Sequence, residues 1–457
     1  MSQRRENAVV CGASMGGLLA ARVLSEFYGS ITLVERDVLP KAAIQRRGVS
    51  QGRHLHGLSS RGYLVLAELF PKLFDELMAS GASVVDFADP SLIYVRVGDH
   101  QLNQAGEMSQ PEALVTCVAS RPLLEAHVRR RVRAIENVAF LEDHDVIEPV
   151  FGQPDRVTAV RVVNRTTNQE RVLGADLVID ATGPSARTPT FLETHGYARP
   201  PEQKYAVKLN YSSQFFRVPD GTLAEKIVLV APTIQRSTGA GLLAYENSTA
   251  ILTLIGVAGH KLPTDLPNVI ALAAELLPSQ ITAALRAAEP LGDVSARHYP
   301  ASAWHRYDKL NRFPKGLLVI GDAVCSFNPI YGQGMSSAAL QAQALRDSLA
   351  DGDTDGLSRR YFRSAAKRLT PIWQVNRLND FAVSPVDGWR SIPQRLLNWQ
   401  IDKLMAAVAN DMVLNEAFFR SLQLLDPPGE LLRPSKLIRV IKGKRRSSST
   451  TVPSSLS

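Results

Sequence analysis

The sequence has few cysteines and no long apolar run. Three cysteines occur in 457 residues (Cys11, Cys117 and Cys325), and none belongs to a CxxC pair. This spacing excludes a disulfide framework and a cysteine zinc site, and it indicates a reducing compartment, which we expect to be the cytoplasm. No uninterrupted apolar segment approaches the ~18 residues that a membrane-spanning helix needs.

The N-terminus lacks the features of an export signal. Its apolar stretch is interrupted by Gly12, Gly16 and Gly17, and no small-residue cleavage site precedes a polar segment. We therefore expect no cleaved export signal, despite the arginine pair near the start.

Acidic residues are absent from the C-terminal end. Residues 433–457 carry seven lysines and arginines, which account for all but one unit of the net charge of +8. We predict a basic, Ser-rich, disordered tail, and peripheral contact with an acidic membrane surface through the C-terminal region is the alternative. The tail does not combine its charges with aromatic residues, so we expect no nucleic-acid partner.

The chain opens with a pattern typical of a βαβ unit. Residues 7–11 predict a short apolar strand, 12–17 a glycine-rich turn, 18–27 a helix and 31–34 a second strand. A strand, a tight turn and a helix in this order predict the first half of a dinucleotide-binding domain.

The turn Gly12-Ala13-Ser14-Met15-Gly16-Gly17 matches Gly-x-Gly-x-x-Gly, except that a serine replaces the middle glycine. Gly12 permits the sharp turn, Ser14 is small enough for a pyrophosphate to approach, and Gly17 lets the helix pack on the strand. The helix N-terminus offers N–H groups to the diphosphate, and Glu35 offers a carboxylate to a ribose. The residues predicted to contact the dinucleotide here are Gly12, Ser14, Met15, Gly16, Gly17, Glu35 and Arg36.

The next segments alternate between helix and strand. Residues 120–135 predict a helix that Ser120 caps. Residues 138–141, 156–164 and 170–174 predict strands of a small antiparallel sheet. The unbroken apolar run 175–181 is typical of a parallel strand that is buried on both faces.

A β-rich middle separates two sets of dinucleotide-type elements. Residues 204–257 alternate as strands, 268–285 predict a helix, and a buried strand at 316–320 precedes a helix at 334–349. The expected fold class is α/β: a Rossmann-like dinucleotide-binding domain interrupted by an α+β, sheet-rich substrate domain, with C-terminal helices. The predicted segments are 1–200 and 297–355 for the dinucleotide-binding domain, 201–296 for the substrate-binding domain, 356–432 for the helical region and 433–457 for the tail.

Three segments add a resemblance to a known family. Gly321-Asp322-Ala323 is followed by Pro329 and by Gly332-Gln333-Gly334-Met335, which opens a helix. Together with the first glycine-rich turn, this resembles the FAD-dependent monooxygenase superfamily of aromatic hydroxylases and epoxidases. The resemblance implies that the aspartate binds the ribityl chain of FAD and that the loop and helix start lie beside the flavin. The residues so implicated are Asp322, Pro329, Gly332, Gly334 and Met335.

Two further segments carry the same resemblance. Ser120-Arg121-Pro122 looks like the helix start whose arginine contacts the phosphate or ribityl region of FAD. The run 175–183 ends in Thr182-Gly183, where aromatic hydroxylases have an Asp-Gly pair that takes part in FAD and NADPH binding. Gly183 thus keeps its predicted role in FAD support, whereas the choice between NADH and NADPH stays open.

The run 51–58 (QGRHLHGL) is similar to the flavin-dependent olefin epoxidases of polyether biosynthesis. The resemblance implies that this segment passes beside the flavin ring, with Arg53 near the diphosphate. A His-x-His pair alone is a weak metal signal, and no third ligand stands at a useful spacing, so we expect no metal.

The resemblance implies an FAD-dependent monooxygenase that uses NAD(P)H and O2. One oxygen atom would pass from a flavin hydroperoxide to an apolar secondary metabolite or isoprenoid-like molecule, by epoxidation or hydroxylation. We therefore nominate no catalytic acid or base; the candidates for the substrate wall are Tyr211, Phe215 and Tyr331. The alternatives are a polyprenyl reductase, an FAD-fold protein that acts at membranes without oxygenation, and, on the faint Trp389–Pro393 signature, a halogenase.

Overall fold

The computed structural model describes residues 5–102, 106–353, 355–383 and 392–447. The strands, numbered in chain order, are β1 (Arg5–Cys11), β2 (Tyr28–Val34), β3 (Ser83–Asp86), β4 (Ile93–Val97), β5 (His100–Gln101), β6 (Val115–Val118), β7 (Val138–Leu141), β8 (His144–Gln153), β9 (Arg156–Asn164), β10 (Glu170–Gly174), β11 (Leu177–Asp180), β12 (Glu202–Arg217), β13 (Ile227–Ala231), β14 (Thr238–Tyr245), β15 (Thr249–Gly256), β16 (Glu289–His305), β17 (Leu317–Val319) and β18 (Cys325–Ser326).

The helices, numbered in the same way, are α1 (Met15–Leu24), α2 (Ser60–Leu69), α3 (Leu73–Ala79), α4 (Arg121–Arg133), α5 (Thr188–Thr194), α6 (Leu266–Leu276), α7 (Ser279–Ala287), α8 (Gly334–Ala350), α9 (Leu357–Val383), α10 (Ile392–Asn410), α11 (Met412–Leu422) and α12 (Pro434–Ser447). Among the described helices, none combines the length and the apolar character that crossing a bilayer requires.

A five-stranded parallel sheet forms the first half of the molecule, in the order β17-β11-β1-β2-β7. Apolar side chains of α1, α4 and α8 cover one face, whereas on the other face Val178 of β11 packs against valines of β9, which belongs to the three-stranded sheet β10-β9-β8. The central strands are therefore buried on both faces, as their unbroken apolar runs predict. The predicted α/β fold class is confirmed.

An eight-stranded sheet forms the second half, in the order β18-β16-β12-β15-β14-β13-β4-β5. Its neighbours pair antiparallel except β13 and β4. Side chains of α6 and α7 pack on one face and those of α10 and α11 on the other. Strands β4, β5 and β18 come from outside residues 201–296, so this sheet draws on more of the chain than the predicted substrate segment.

Several local predictions need correction. Residues 138–141 pair parallel with β2 at the edge of the five-stranded sheet, instead of joining β9 and β10. The helix expected over 268–285 is two helices, because Pro278 adopts extended backbone angles between them. Residues 434–447 form α12 instead of a disordered tail. Val440 of this helix packs on the apolar cluster of α10 and α11.

Candidate cofactor site

The carboxyl end of the parallel sheet brings the predicted site residues together. Cys11 pairs with both Asp180 and Val34, and Asp180 pairs with Val319. The segments that follow these residues therefore start side by side, because the strands are parallel and in register. They contain, in chain order, the turn 12–17, Glu35, Gly183 and Asp322.

The glycines of the first turn are required by close backbone contacts. Gly12 has a φ of +109°, and a Cβ there would lie 2.6 Å from the Ala181 carbonyl oxygen. A Cβ on Gly17 would lie 1.8 Å from the Gly12 carbonyl oxygen. The first N–H of α1 that bonds within the helix is that of Leu18, to the Ser14 carbonyl at 2.9 Å. The preceding N–H groups thus have no acceptor in the helix, an arrangement that suits an anion.

The carboxylate of Glu35 is hydrogen-bonded to the backbone of the glycine-rich turn. It is 5% exposed and accepts hydrogen bonds from the N–H groups of Ala13 (2.7 Å) and Asp37 (3.1 Å). Arg46 lies 3.5 Å from the same carboxylate and donates to the Ala13 carbonyl at 3.1 Å. Sequence reasoning missed Arg46, since it lies in an irregular segment. Arg36, by contrast, is exposed and pairs with Asp145 at 3.6 Å, so its predicted cofactor role stays untested.

Arg121 belongs to a buried ion-pair network and does not lie on the surface. Its guanidinium donates to Glu125 at 3.1 Å and to the Ser14 hydroxyl at 3.2 Å. Arg46 donates to the other oxygen of Glu125 at 2.7 Å. Burial alone raises the pKa of Glu125, but Arg121 and Arg46 outweigh it and hold that pKa below its ordinary value. Glu125 stands four residues after Arg121 in a helix, a spacing that gives a usable sequence signal.

Asp322 carries a carboxylate that the described residues leave without a hydrogen-bond partner. Gly321 precedes it with a φ of +75° and donates its N–H to the buried Gln341 side chain at 2.8 Å. Asp322 itself is half-buried and makes no hydrogen bond to any described residue. Burial raises its pKa to about 6, and Arg121 opposes the shift. A carboxylate in this state can accept hydrogen bonds from the hydroxyls of a ligand.

The loop before α8 borders open space. A Cβ on Gly332 or on Gly334 would meet no atom within 4 Å, and the same holds for Gly183. Pro329 is exposed, and Met335 is buried behind the helix start. No atom of the described chain therefore fills the space beside these glycines, and their contact with a flavin stays a prediction.

Residues 51–58 connect the two halves of the molecule. The His54 ring lies 2.9 Å from the Ser213 hydroxyl, and the Leu55 N–H donates to the Thr253 hydroxyl at 3.1 Å. The backbone of His56 both donates to and accepts from the Tyr245 hydroxyl, at 3.0 and 2.9 Å. Arg53 is exposed. The run therefore passes between the cofactor half and the eight-stranded sheet.

Both histidines of this run are neutral near neutral pH. Burial first, then the positive charge of Arg297 and Arg53, lowers the pKa of His54 to about 4. Burial first, then Arg121, lowers the pKa of His56 to about 4. The Nδ1 of His56 lies 2.8 Å from the His54 carbonyl oxygen, which can only accept, so Nδ1 carries the proton and Nε2 a lone pair. Within the described residues, no group of three potential ligands is arranged to hold a metal.

The three candidates for the substrate wall lie around this junction. Tyr211 is buried, and its ring centroid is 5.7 Å from that of His54. Phe215 lies on the same strand, 6.5 Å from Tyr245 between ring centroids. The Tyr331 hydroxyl is turned towards α9, where it donates to Asp380 at 2.8 Å. Their role towards a substrate stays a prediction.

Comparison with known proteins places the chain in a family. No protein-family model matches it. Protein Rv3254 of Mycobacterium tuberculosis is 40% identical over 435 residues, which cover 92% of this chain and 90% of that protein. The chain belongs to the family of protein Rv3254. Kynurenine 3-monooxygenase of Salinispora tropica is 24% identical over 367 residues, covering 74% of this chain and 71% of the relative.

Solved structures confirm the fold of this Rv3254-family protein. The p-nitrophenol 4-monooxygenase PnpA of Pseudomonas putida superposes with a TM-score of 0.65 at 14% identity, over 93% of this chain and 99% of PnpA. PqsL, a probable FAD-dependent monooxygenase of Pseudomonas aeruginosa, superposes with a TM-score of 0.64 at 15% identity, over 87% of this chain and 100% of PqsL. The flavin-dependent brominase Bmp2 superposes with a TM-score of 0.64 at 14% identity, over 96% of this chain and 99% of Bmp2. The protein therefore has the fold of these flavin-dependent proteins, as its motifs predict.

Proposed function

We propose that this protein is an FAD-dependent monooxygenase that acts on a small apolar molecule. The observation that carries the proposal is the meeting of the two predicted cofactor segments. A Cβ built on Gly16 would lie 3.5 Å from the Cα of Gly321, so the glycine turn and the Asp322 loop touch. The likeness to kynurenine 3-monooxygenase and to the solved monooxygenases PnpA and PqsL supports the same class.

The residues present fit FAD. The turn 12–17 has the closely packed glycines and unpaired N–H groups that a diphosphate needs, and Glu35 lies beside it for a ribose. Asp322 would supply an unpartnered carboxylate for the ribityl hydroxyls, and the open space at Gly332 and Gly334 would accommodate the ring. The positive end of α8 would favour negative charge on that ring.

FAD supplies the redox chemistry when it is bound, with NAD(P)H as the proposed reductant and O2 as the oxygen source. The chain's own task is to bind, orient and exclude water. His54 and His56 are suited to that task, because neutral rings in a buried junction keep charge away from an apolar substrate. Tyr211 and Phe215 would contact the substrate from β12.

The decisive experiment is a visible absorbance spectrum of the purified protein, followed by reduction with NADH and NADPH in air and without oxygen. The proposal expects a flavin spectrum and reductant consumption that depends on oxygen. A protein that remains colourless after addition of FAD contradicts it. Turnover of a polyprenyl substrate without oxygen supports the reductase alternative instead.

Halogenation has less support on this chain. The likeness to Bmp2 shows the fold alone, and the signature at Trp389–Pro393 lies mainly outside the described residues. No second observation favours that reaction.

A membrane contact is the second candidate function, and α12 favours it. Leu437, Ile438 and Ile441 are 40%, 50% and 66% exposed on one face of this helix. No acidic residue occurs from Arg433 to the C-terminus. An exposed apolar stripe among basic residues suits the surface of an anionic bilayer, where each Lys or Arg contributes about 1 kcal/mol. Such contact would bring the enzyme to a lipophilic substrate.

Cosedimentation with vesicles tests this contact. We expect binding to phosphatidylcholine vesicles that contain phosphatidylserine and none to phosphatidylcholine alone. Replacement of Leu437, Ile438 and Ile441 by Gln should abolish binding. Val172→Gln, at an equally exposed position on β10, is the control and should bind as wild type. Equal pelleting of wild type and the triple variant contradicts the contact.

A further inference from the structure

Helix α9 reaches from the C-terminal region into the loop that precedes α8. Asn376 and Asp380 stand one turn apart on α9 and share a face. Asp380 Oδ1 accepts hydrogen bonds from Asn328 Nδ2 at 2.6 Å and from the Tyr331 hydroxyl at 2.8 Å. Asn376 Nδ2 donates to Gln333 Oε1 at 2.9 Å. Two side chains of one helix thus hold three residues of the loop.

These contacts lie in the interior. Asn328, Gln333, Asn376 and Asp380 are each at most 5% exposed. Hydrogen bonds between buried polar groups are costly to lose, because each unpaired partner then bears its own desolvation penalty. These buried hydrogen bonds therefore fix the path of the loop, which apolar packing of α9 alone would not do.

Asp380 is an unusual residue for a purely structural contact. Its other oxygen, Oδ2, has no hydrogen-bond partner, and the nearby hydroxyls of Tyr205 and Ser302 also have none in the described parts of the chain. Burial raises the pKa of Asp380, opposed by its hydrogen bonds to Tyr331 and Asn328. An apolar side chain would pack here without that cost, whereas only an acceptor can hold Asn328 and Tyr331 together.

We infer that Asp380 is a positioning residue for the cofactor site: it holds Asn328–Gly332 so that the start of α8 and the space at Gly332 are preorganised for the flavin ring. The inference rests on the proposed function. It makes α9 part of the cofactor site, although the sequence assigns that helix to a separate C-terminal region. It also gives the Tyr331 hydroxyl a partner within the protein.

Comparison of two buried carboxylates tests the role. Glu416 on α11 is 7% exposed and likewise holds a loop, by accepting from the N–H groups of Ser109 and Gln110 at 2.7 and 3.2 Å. Asp380→Ala and Glu416→Ala should both lower the unfolding midpoint. FAD affinity, measured by quenching of FAD fluorescence on the apoprotein, should fall about 10- to 100-fold in Asp380→Ala, because two hydrogen bonds to one acceptor are lost. It should stay within about threefold in Glu416→Ala.

Conservative variants separate positioning from folding. Asp380→Asn keeps the acceptor oxygen at Oδ1, so its FAD affinity should return to within about threefold of wild type. Tyr331→Phe should weaken FAD binding in the same direction, and the double variant Asp380→Ala/Tyr331→Phe should be no weaker than Asp380→Ala alone. Should Asp380→Ala fail to fold, Asp380→Asn and Tyr331→Phe still give the comparison.

The outcomes distinguish this inference from the proposed function. If wild type binds no FAD, the proposed function fails, and the inference fails with it. If wild type binds FAD and Asp380→Ala binds it equally well with a lowered unfolding midpoint, Asp380 is only structural and this inference alone is overturned. Equal FAD loss in Glu416→Ala would overturn it too.

Discussion

Gly16 and Gly321 lie against each other at the carboxyl edge of the parallel sheet, with 3.5 Å between a Cβ built on Gly16 and the Cα of Gly321. One residue belongs to the first turn of α1 and the other follows β17, far along the chain. Their contact places the N-terminus of α1 beside the loop that carries Asp322. The candidate FAD site is thus formed by two segments that are far apart in sequence, and by neither segment alone.

Gly17→Ala should abolish FAD binding. The added Cβ would lie 1.8 Å from the Gly12 carbonyl oxygen, which is backbone and has no rotamer to move. The turn must then shift, and overpacking of this kind costs about 1–3 kcal/mol. Flavin absorbance after incubation with FAD and the denaturant midpoint measure the two effects. Gly174→Ala on β10 is the control, since a Cβ there meets nothing within 4 Å; a yellow Gly17→Ala protein would contradict the close-contact argument.

Arg46→Met should destabilise the protein by about 3–5 kcal/mol, because it leaves the buried carboxylate of Glu125 without one of its cations. Arg46 and Glu125 side chains are 8% and 5% exposed and lie 2.7 Å apart. Arg36→Ala is the matched control: its pair with Asp145 is 60% and 44% exposed, so its loss should cost at most about 1 kcal/mol. Urea unfolding of both variants checks the difference, and similar midpoints would show that the network adds nothing to stability.

The cofactor half could be predicted from the sequence because its signals are local. The strand before Gly12, the glycines of the turn and the acidic strand end at Glu35 each stand where a simple pattern predicts. Ser120 caps α4 by accepting from the Leu123 N–H at 3.2 Å, as expected. Turn geometry and helix capping depend on residues that are close in sequence, so a local pattern is enough to predict them.

The contacts that complete the site are long-range, and no pattern marks them. Arg46 meets Glu125, and Asp380 meets Asn328, only after distant segments pack together. Helix α12 also escaped prediction, and the contact of its Val440 with the apolar cluster of α10 and α11 is not marked by any local pattern. Composition alone predicts disorder for such a basic segment.

Asp322→Asn should weaken FAD binding while it stabilises the apoprotein above pH 6. Folding raises the pKa of Asp322 from 3.8 to about 6. Between these two pH values, the folded apoprotein therefore holds a proton that the unfolded chain has released. The carboxylate therefore costs stability above pH 3.8, and the full cost applies above about pH 6. Thermal unfolding of wild type and variant apoprotein across this range checks the sign. A stability difference that does not change with pH would mean that Asp322 has the same pKa in the folded and unfolded states.

His54 should make the protein sensitive to mild acid. Its pKa is lowered from 6.5 to about 4 by burial and by Arg297 and Arg53, so the unfolded chain takes up a proton in this window and the folded protein does not. The contribution of neutral His54 to the free energy of unfolding is fully present above pH 6.5. It declines as the pH falls towards 4, by at most about 1.4 kcal/mol per pH unit. Asp322 has the opposite slope over part of this range, so wild-type His54 and His54→Asn are best compared in the Asp322→Asn background. The unfolding free energy should fall less steeply between pH 6.5 and 4 in His54→Asn, and equal slopes would show that His54 is protonated as readily in the fold as outside it.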